Sequence, residues 1–436
     1  MSARIDRNGE KLTMLRTLFV GGILLLLSGC ASHSVIDNAP GDGVTADSSY
    51  SIKTFAEKWR THENSLMLAF SGGGTRAAAL SYGVLKELRD TPIVDRGQGS
   101  RLLDEVHIIS SVSGGSFTSA YYGLNGDGIF DDYEEVFLRK DVQGDLIKRA
   151  LNPLRWFGRG DRTERAVDYY DETVFKGATF ADLLKQETPL IAINASDLGY
   201  GVRFSFLQEY FNLLCSDLST FPVARAVTAS SAVPVLFHPV VVENFPDCGD
   251  EYPQWLKKAR IIAATNPENE MVVQGLETYY DRDKRKYAHF VDGGITDNLG
   301  MRAIYEILEL SGGIGEFNRK YSRQPPQRLV MISVDASTEP QPKMDGSTRH
   351  PSLNETIDAM SSVQLHRYNA ATVEVLNRSL KLWARQLSTP EHTVESYFIR
   401  IGFGDIKDPQ QRDFFNRVPT SFRLNDEQVD RLIEAG

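Results

Sequence analysis

Apolar runs, glycine-rich turns and amphipathic stretches follow one another along this chain in a repeating order. Leu66-Met67-Leu68-Ala69-Phe70 is a continuous apolar run that ends in Gly72-Gly73-Gly74-Thr75-Arg76, after which Ala79, Val84, Leu85 and Leu88 recur at helical spacing. Val106-His107-Ile108-Ile109 starts a second unit, which passes through Ser111-Val112-Ser113-Gly114-Gly115 into a helix predicted from Gly115 through Tyr122. Each unit reads as strand, tight turn and helix, which sets both turns side by side at the carboxyl ends of neighbouring parallel strands.

The pattern continues beyond them. Pro189 to Asn194 reads as a buried strand and Val202 to Leu207 as its hairpin partner. A helix runs from Pro222 to Ala232 and stops before Pro234. Further strands end at Val291, span Leu329–Val334 and lie near Phe398–Ile401, with helices over Leu353–Gln386 and Asp426–Glu434. Helical stretches at Asp131–Ala150, Thr163–Lys176 and Thr179–Gln186 form an insertion near 124–186 that covers the site, and a second insertion lies near 243–286. Alternation of strand and helix with few hairpins means an α/β fold.

Composition narrows the class. At 436 residues, 41% hydrophobic and 24% charged, the chain can bury a large core, and its net charge of −10 argues against nucleic acid as a partner. Arg4, Arg7, Lys11 and Arg16 precede the apolar stretch Leu18–Leu27, which is short for a membrane span and reads as a secretory signal over residues 1–29. Leu27-Ser28-Gly29-Cys30 resembles the bacterial lipobox, which implies a lipidated Cys30, and Ala31 after it implies sorting to the outer membrane, on either face. Residues 30–51, rich in Ser, Asp, Gly and Ala, read as a flexible tether, and 52–436 as one catalytic domain. Cys215 and Cys248 remain, either paired in an oxidising compartment or buried as two free thiols.

Three turns carry candidate chemistry. Ser113 sits at the tip of a strand-to-helix turn among small neighbours, Gly115 included, as a nucleophile elbow requires, although capping serines also occupy such turns. Gly72, Gly73 and Gly74 allow dihedrals that aim several amides at one point, an oxyanion cradle or else a phosphate-binding turn, with Arg76 orienting the loop or meeting a phosphate. Asp292-Gly293-Gly294 follows the strand Ala288–Val291 and offers a carboxylate as base, or simply a turn. An aspartate has a reference pKa of about 3.9, so it needs partial desolvation to take a proton near neutrality.

In that order and spacing the three turns resemble the patatin-like phospholipase family, as do Ala229-Ser230-Ser231-Ala232-Val233-Pro234 and Asn194-Ala195-Ser196-Asp197, over roughly Leu66 to Gly300. The resemblance implies a three-layer α/β fold with a mostly parallel central sheet flanked by helices. It also implies a Ser113–Asp292 dyad without histidine, oxyanion donors at Gly72, Gly73 and Gly74, support from Arg76, Gly115, Gly293 and Gly294, no cofactor or metal, and a lipid acyl ester as substrate. Ser111 and Ala77 stand where the family pattern has glycine. Two other readings stay open: a Ser-His-Asp hydrolase using His350, His366 or His392, and a non-catalytic lipid-binding surface lipoprotein. Asn125-Gly126-Asp127-Gly128 with Glu134 is a polar turn rather than a calcium loop, since Gly123 offers no carboxylate. Trp156-Phe157 line an interfacial surface or pack inside; protein partners are left open.

Overall fold

Apolar runs flanked by glycine become the inner strands of one sheet. In the computed structural model, which describes residues 34–41, 49–59, 63–93, 100–151, 161–234, 236–246, 248–249, 251–340 and 343–436, eight strands form this sheet. They are β1 (Asn64–Phe70), β2 (Val106–Val112), β3 (Leu190–Asp197), β4 (Arg203–Ser205), β5 (Val240–Glu243), β6 (Tyr287–Val291), β7 (Arg328–Asp335) and β8 (Glu395–Gly402). The order is β8-β7-β1-β2-β3-β6-β5, with β4 on β3. Strands β8, β7, β1, β2 and β3 are parallel, whereas β6, β5 and β4 are added antiparallel. Residues Leu66–Phe70 and Leu190–Asp197 are buried throughout, as strands covered on both faces must be.

Helices cover the sheet. Those that matter below are α1 (Ile52–Lys58), α2 (Thr75–Asp90), α3 (Gly114–Asn125), α4 (Val223–Ser230), α5 (Arg302–Leu310), α6 (Ile314–Lys320), α7 (Leu353–Leu387) and α8 (Asp426–Ala435). Helix α3 packs on β2 and β3, α8 on α2, and α7 on β7 and β8. The architecture is an α/β fold with a mixed central sheet flanked by helices.

Two expectations need correction. The continuous helix over Asp131–Ala150 is broken into Ile129–Tyr133, a π-helical turn at Glu134–Leu138 and Val142–Leu151, where Asp141 accepts the Gly144 N–H and starts the last piece afresh. The tether over 30–51 is tied into the fold where it is described. Ala39–Pro40 pairs with Ser216–Asp217, Asp37 pairs with Arg225 at 2.6 Å, and Tyr50 is buried, because the enclosed guanidinium of Arg225 requires carboxylates and finds them in Asp37 and Glu164. Strand β5 escaped the sequence reading altogether. The leader with Cys30, and Trp156-Phe157, lie outside the described residues. Cys215 is joined to Cys248 as a disulfide.

Candidate active site

The register of the sheet decides which turns meet. Phe70 pairs with Ser111 and Val112 with Asn194, while Ser196 pairs with Val291, so the turns after β1, β2 and β6 emerge together around the end of β3. The Ser113 hydroxyl donates to Asp292 Oδ2 at 2.9 Å. Ser113 has φ 50° and ψ −121°, a positive φ that a side chain rarely adopts and that costs of the order of 1–3 kcal/mol. The surrounding hydrogen bonds have to hold it there.

Ser230, at the end of α4, supplies several of them. Its hydroxyl accepts the Ser113 N–H at 2.9 Å, donates to the Asn194 carbonyl at 2.6 Å and lies 2.9 Å from Ser116 Oγ. The Ser230 carbonyl accepts the Gly293 N–H and the Ala232 carbonyl accepts the Asp292 N–H, both at 3.0 Å. One short segment thus clamps both loops. Asn194 is pinned in turn: its Nδ2 donates to Ser110 Oγ at 3.0 Å and its Oδ1 accepts from Arg203, itself held by Glu306 at 2.6 Å. Ser230→Ala leaves the Ser113 N–H and the Asn194 carbonyl buried without partners. It is expected to cost about 1–3 kcal/mol in denaturant unfolding and to slow ester hydrolysis. Ser231→Ala is the control, because that hydroxyl returns to carbonyls of its own helix, Val227 at 2.8 Å and Thr228 at 3.4 Å.

The glycine turn and the elbow are in direct contact. A Cβ at Gly114 would sit 2.0 Å from the Gly74 carbonyl oxygen, so only glycine fits there, and Gly74 itself has φ 61°. The N–H groups of Gly73, Gly74 and Gly114 have no backbone or side-chain acceptor among the described residues. Gly72 differs from expectation: its N–H donates to the Asn298 carbonyl at 2.9 Å and is not free to act as an oxyanion donor. Arg76 is buried and donates to the carbonyls of Ala336 (2.8 Å) and Val418 (2.6 Å), so it braces the loop and does not face a phosphate. Burial lowers its pKa to about 10, with Asp335 opposing the shift.

Asp292 is nearly enclosed. Burial raises its pKa to about 6, against the pull of the Gly294 N–H, which donates to Oδ1 at 2.8 Å, and of the Ser113 hydroxyl. Gly293 lies against the Asn194 carbonyl, where a Cβ would approach to 2.4 Å, and Gly115 packs beneath the glycine turn against Phe70 and Ser71. The late histidines are engaged elsewhere: His366 Nε2 contacts the Thr338 carbonyl at 2.9 Å and His392 Nε2 the Pro326 carbonyl at 3.1 Å, while His350 is exposed. Asp127 of the glycine-rich turn pairs with Arg101 at 2.6 Å. Asn298 escaped the sequence reading. Its Oδ1 would lie 2.8 Å from a Cβ at Gly72 and 3.1 Å from one at Gly294, so its carboxamide faces the space between the two loops.

A strained serine bonded to a buried carboxylate, beside unengaged main-chain donors at the ends of parallel strands, is the geometry of acyl-transfer hydrolases. The family described as patatin-like phospholipase matches residues 68–305, more than half of the chain. The chain belongs to the patatin-like phospholipase family, whose members are typically serine-dependent lipid hydrolases. No curated protein matches it. Among solved structures it is similar to human GIVD cytosolic phospholipase A2, with 12% identity and a TM-score of 0.39 over 93% of this chain and 66% of that one. It is also similar to VipD from Legionella pneumophila, with 12% identity and a TM-score of 0.27 over 94% and 72% of the two chains. The chain thus spans just under two thirds of the length of the human protein.

The outer-membrane, lipid-anchored location expected from the leader is not retained. The leader that carried that expectation lies outside the described residues, and among the described residues no helix is long and apolar enough to cross a membrane.

Proposed function

We propose that the protein hydrolyses acyl esters of lipids, in the manner of a phospholipase A or lysophospholipase, through Ser113 and Asp292. The observation that carries the reading is the 2.9 Å hydrogen bond from the strained elbow serine to a carboxylate whose burial lifts its pKa to about 6. Ser113 Oγ attacks the ester carbonyl carbon while its proton passes to Asp292. The N–H groups of Gly73 and Gly74, with that of Gly114, receive the developing oxyanion, and each such donor is worth about 3–4 kcal/mol in comparable sites. Collapse expels the alcohol, which takes the proton from Asp292. Water then attacks the acyl-enzyme, gives its proton to Asp292 and releases the fatty acid, and the proton returns to Ser113.

Apolar side chains near the dyad suit a lipid. Ile295 (54% exposed), Leu198 and Leu236 stand exposed on the three segments that adjoin the Asp292 turn. An alkyl fluorophosphonate is expected to label the protein stoichiometrically at Ser113, read by peptide mass spectrometry, and a mixed lipid extract to lose acyl chains only with unlabelled protein. A folded protein that takes no label would favour the non-catalytic lipid-binding reading.

A further inference from the structure

A cavity lies at the other end of the same strands. It has a volume of about 70 Å³, several times the ~10–15 Å³ that one water requires, and is walled by Phe55 and Trp59 around α1, Met67 of β1, Ile304 of α5 and Phe317 of α6. Ser65 and His107, at the starts of β1 and β2, and Arg323 add the polar part of the lining. Six residues of β2 separate His107 from Ser113, about 20 Å at the usual rise, so this cavity is distinct from the dyad.

Arg323 sets the chemistry. Of the buried arginines, Arg203, Arg225, Arg285 and Arg302 each face a carboxylate, respectively Glu306, Glu164, Asp197 and Glu268, and Arg76 is satisfied by two carbonyls. Arg323, which is partly buried, faces no carboxylate among the described residues. Its Nη2 lies 3.2 Å from His107 Nδ1, its guanidinium 5.8 Å from the Phe317 ring centre, and its Nε is buried without a hydrogen-bond partner. Burial lowers its pKa to about 10, which leaves it cationic at neutral pH. A guanidinium held in an apolar cavity without a counter-ion is costly, and an incoming anion relieves that cost. Among the described residues no acidic side chain lines the cavity to repel one.

We infer that this cavity is a binding site for an aliphatic monocarboxylate, its carboxylate on Arg323 and its chain against Phe55, Met67, Ile304 and Phe317. Arg323, the cationic guanidinium among the described lining residues, selects a single negative charge. Apolar walls select a hydrocarbon body, and the small volume limits it to a short chain. The site does not depend on the hydrolytic reading, so its test uses full-length Ser113→Ala protein, in which no turnover occurs.

Butyrate, 1-butanol and butylammonium serve as matched probes in calorimetric titration, with tryptophan emission as a second signal from Trp59. Butyrate is expected to bind at least about tenfold more tightly than either of the others, as a charge-assisted contact requires. Arg323→Gln is expected to erase that preference while leaving the ester hydrolysis of otherwise wild-type protein unchanged. Should Arg323→Gln fail to fold, Ile304→Phe narrows the cavity and is expected to weaken butyrate binding by a similar factor. Equal affinity for butyrate and butanol, unaltered butyrate binding by a folded Arg323→Gln protein, or protection of wild-type Ser113 from fluorophosphonate by butyrate in direct competition would each overturn the assignment.

Discussion

Ser113→Ala is expected to reduce fatty-acid release from a lipid ester by about 10⁴-fold or more while leaving the fold intact. In the proposed mechanism the elbow hydroxyl forms the acyl bond, and among the described residues nothing else in reach replaces it. Ser116 Oγ is 2.9 Å from Ser230 Oγ, and the Ser111 and Ser119 hydroxyls are bonded to each other at 2.6 Å, all of them buried in the packing of α3. Removal of Oγ costs little stability, since its one partner, Asp292, keeps the Gly294 N–H. Stopped assays with product mass spectrometry read the loss, and circular dichroism confirms the fold. Activity retained within tenfold would mean that another residue attacks.

Asp292→Asn is expected to lower kcat by about 10³–10⁴-fold, because a carboxamide cannot take the serine proton. The wild-type pH profile carries the complementary signature. As the proposed base, Asp292 would work only when ionised, and burial raises its pKa to about 6, so kcat/KM should fall as the pH drops through about 6 and hold above it. The variant should lose that limb. Stability runs the other way: the folded carboxyl holds its proton more tightly than an unfolded one, so its ionisation costs stability as pH rises from 3.8 through about 6. At neutral pH Asp292→Asn should therefore melt no lower than wild type, which separates lost chemistry from lost structure.

Much of this was legible in the chain because it is local. Strand runs such as Leu66–Phe70 and Leu329–Val334 announce themselves, and the glycine turn, elbow and Asp-Gly-Gly each combine a turn with a strand end. Partners set by the sheet were not legible. Nothing in Gly72 reveals that its N–H goes to Asn298, and nothing in Ser230 reveals that it bonds to Ser113 across the sequence. Strand β5 is four residues long and gains its identity from pairing with β6. Residues 34–41 have the composition of a linker, yet Arg225 draws Asp37 into an ion pair. Each of these depends on contacts that no window along the chain contains.

The carboxyl-terminal segment, least distinctive in sequence, bears on how the protein can be dissected. Thr75 N–H donates to the Ser421 carbonyl at 2.9 Å, Arg76 reaches Val418, and α8 lies along α2, so close that a Cβ at Gly83 would meet the Ile433 carbonyl at 2.2 Å. A fragment trimmed to the matched residues 68–305 would keep the serine and the aspartate yet forfeit the buttress under the amides opposite them. Expression boundaries, and searches for distant kin, should therefore treat the last twenty or so residues as part of the catalytic frame.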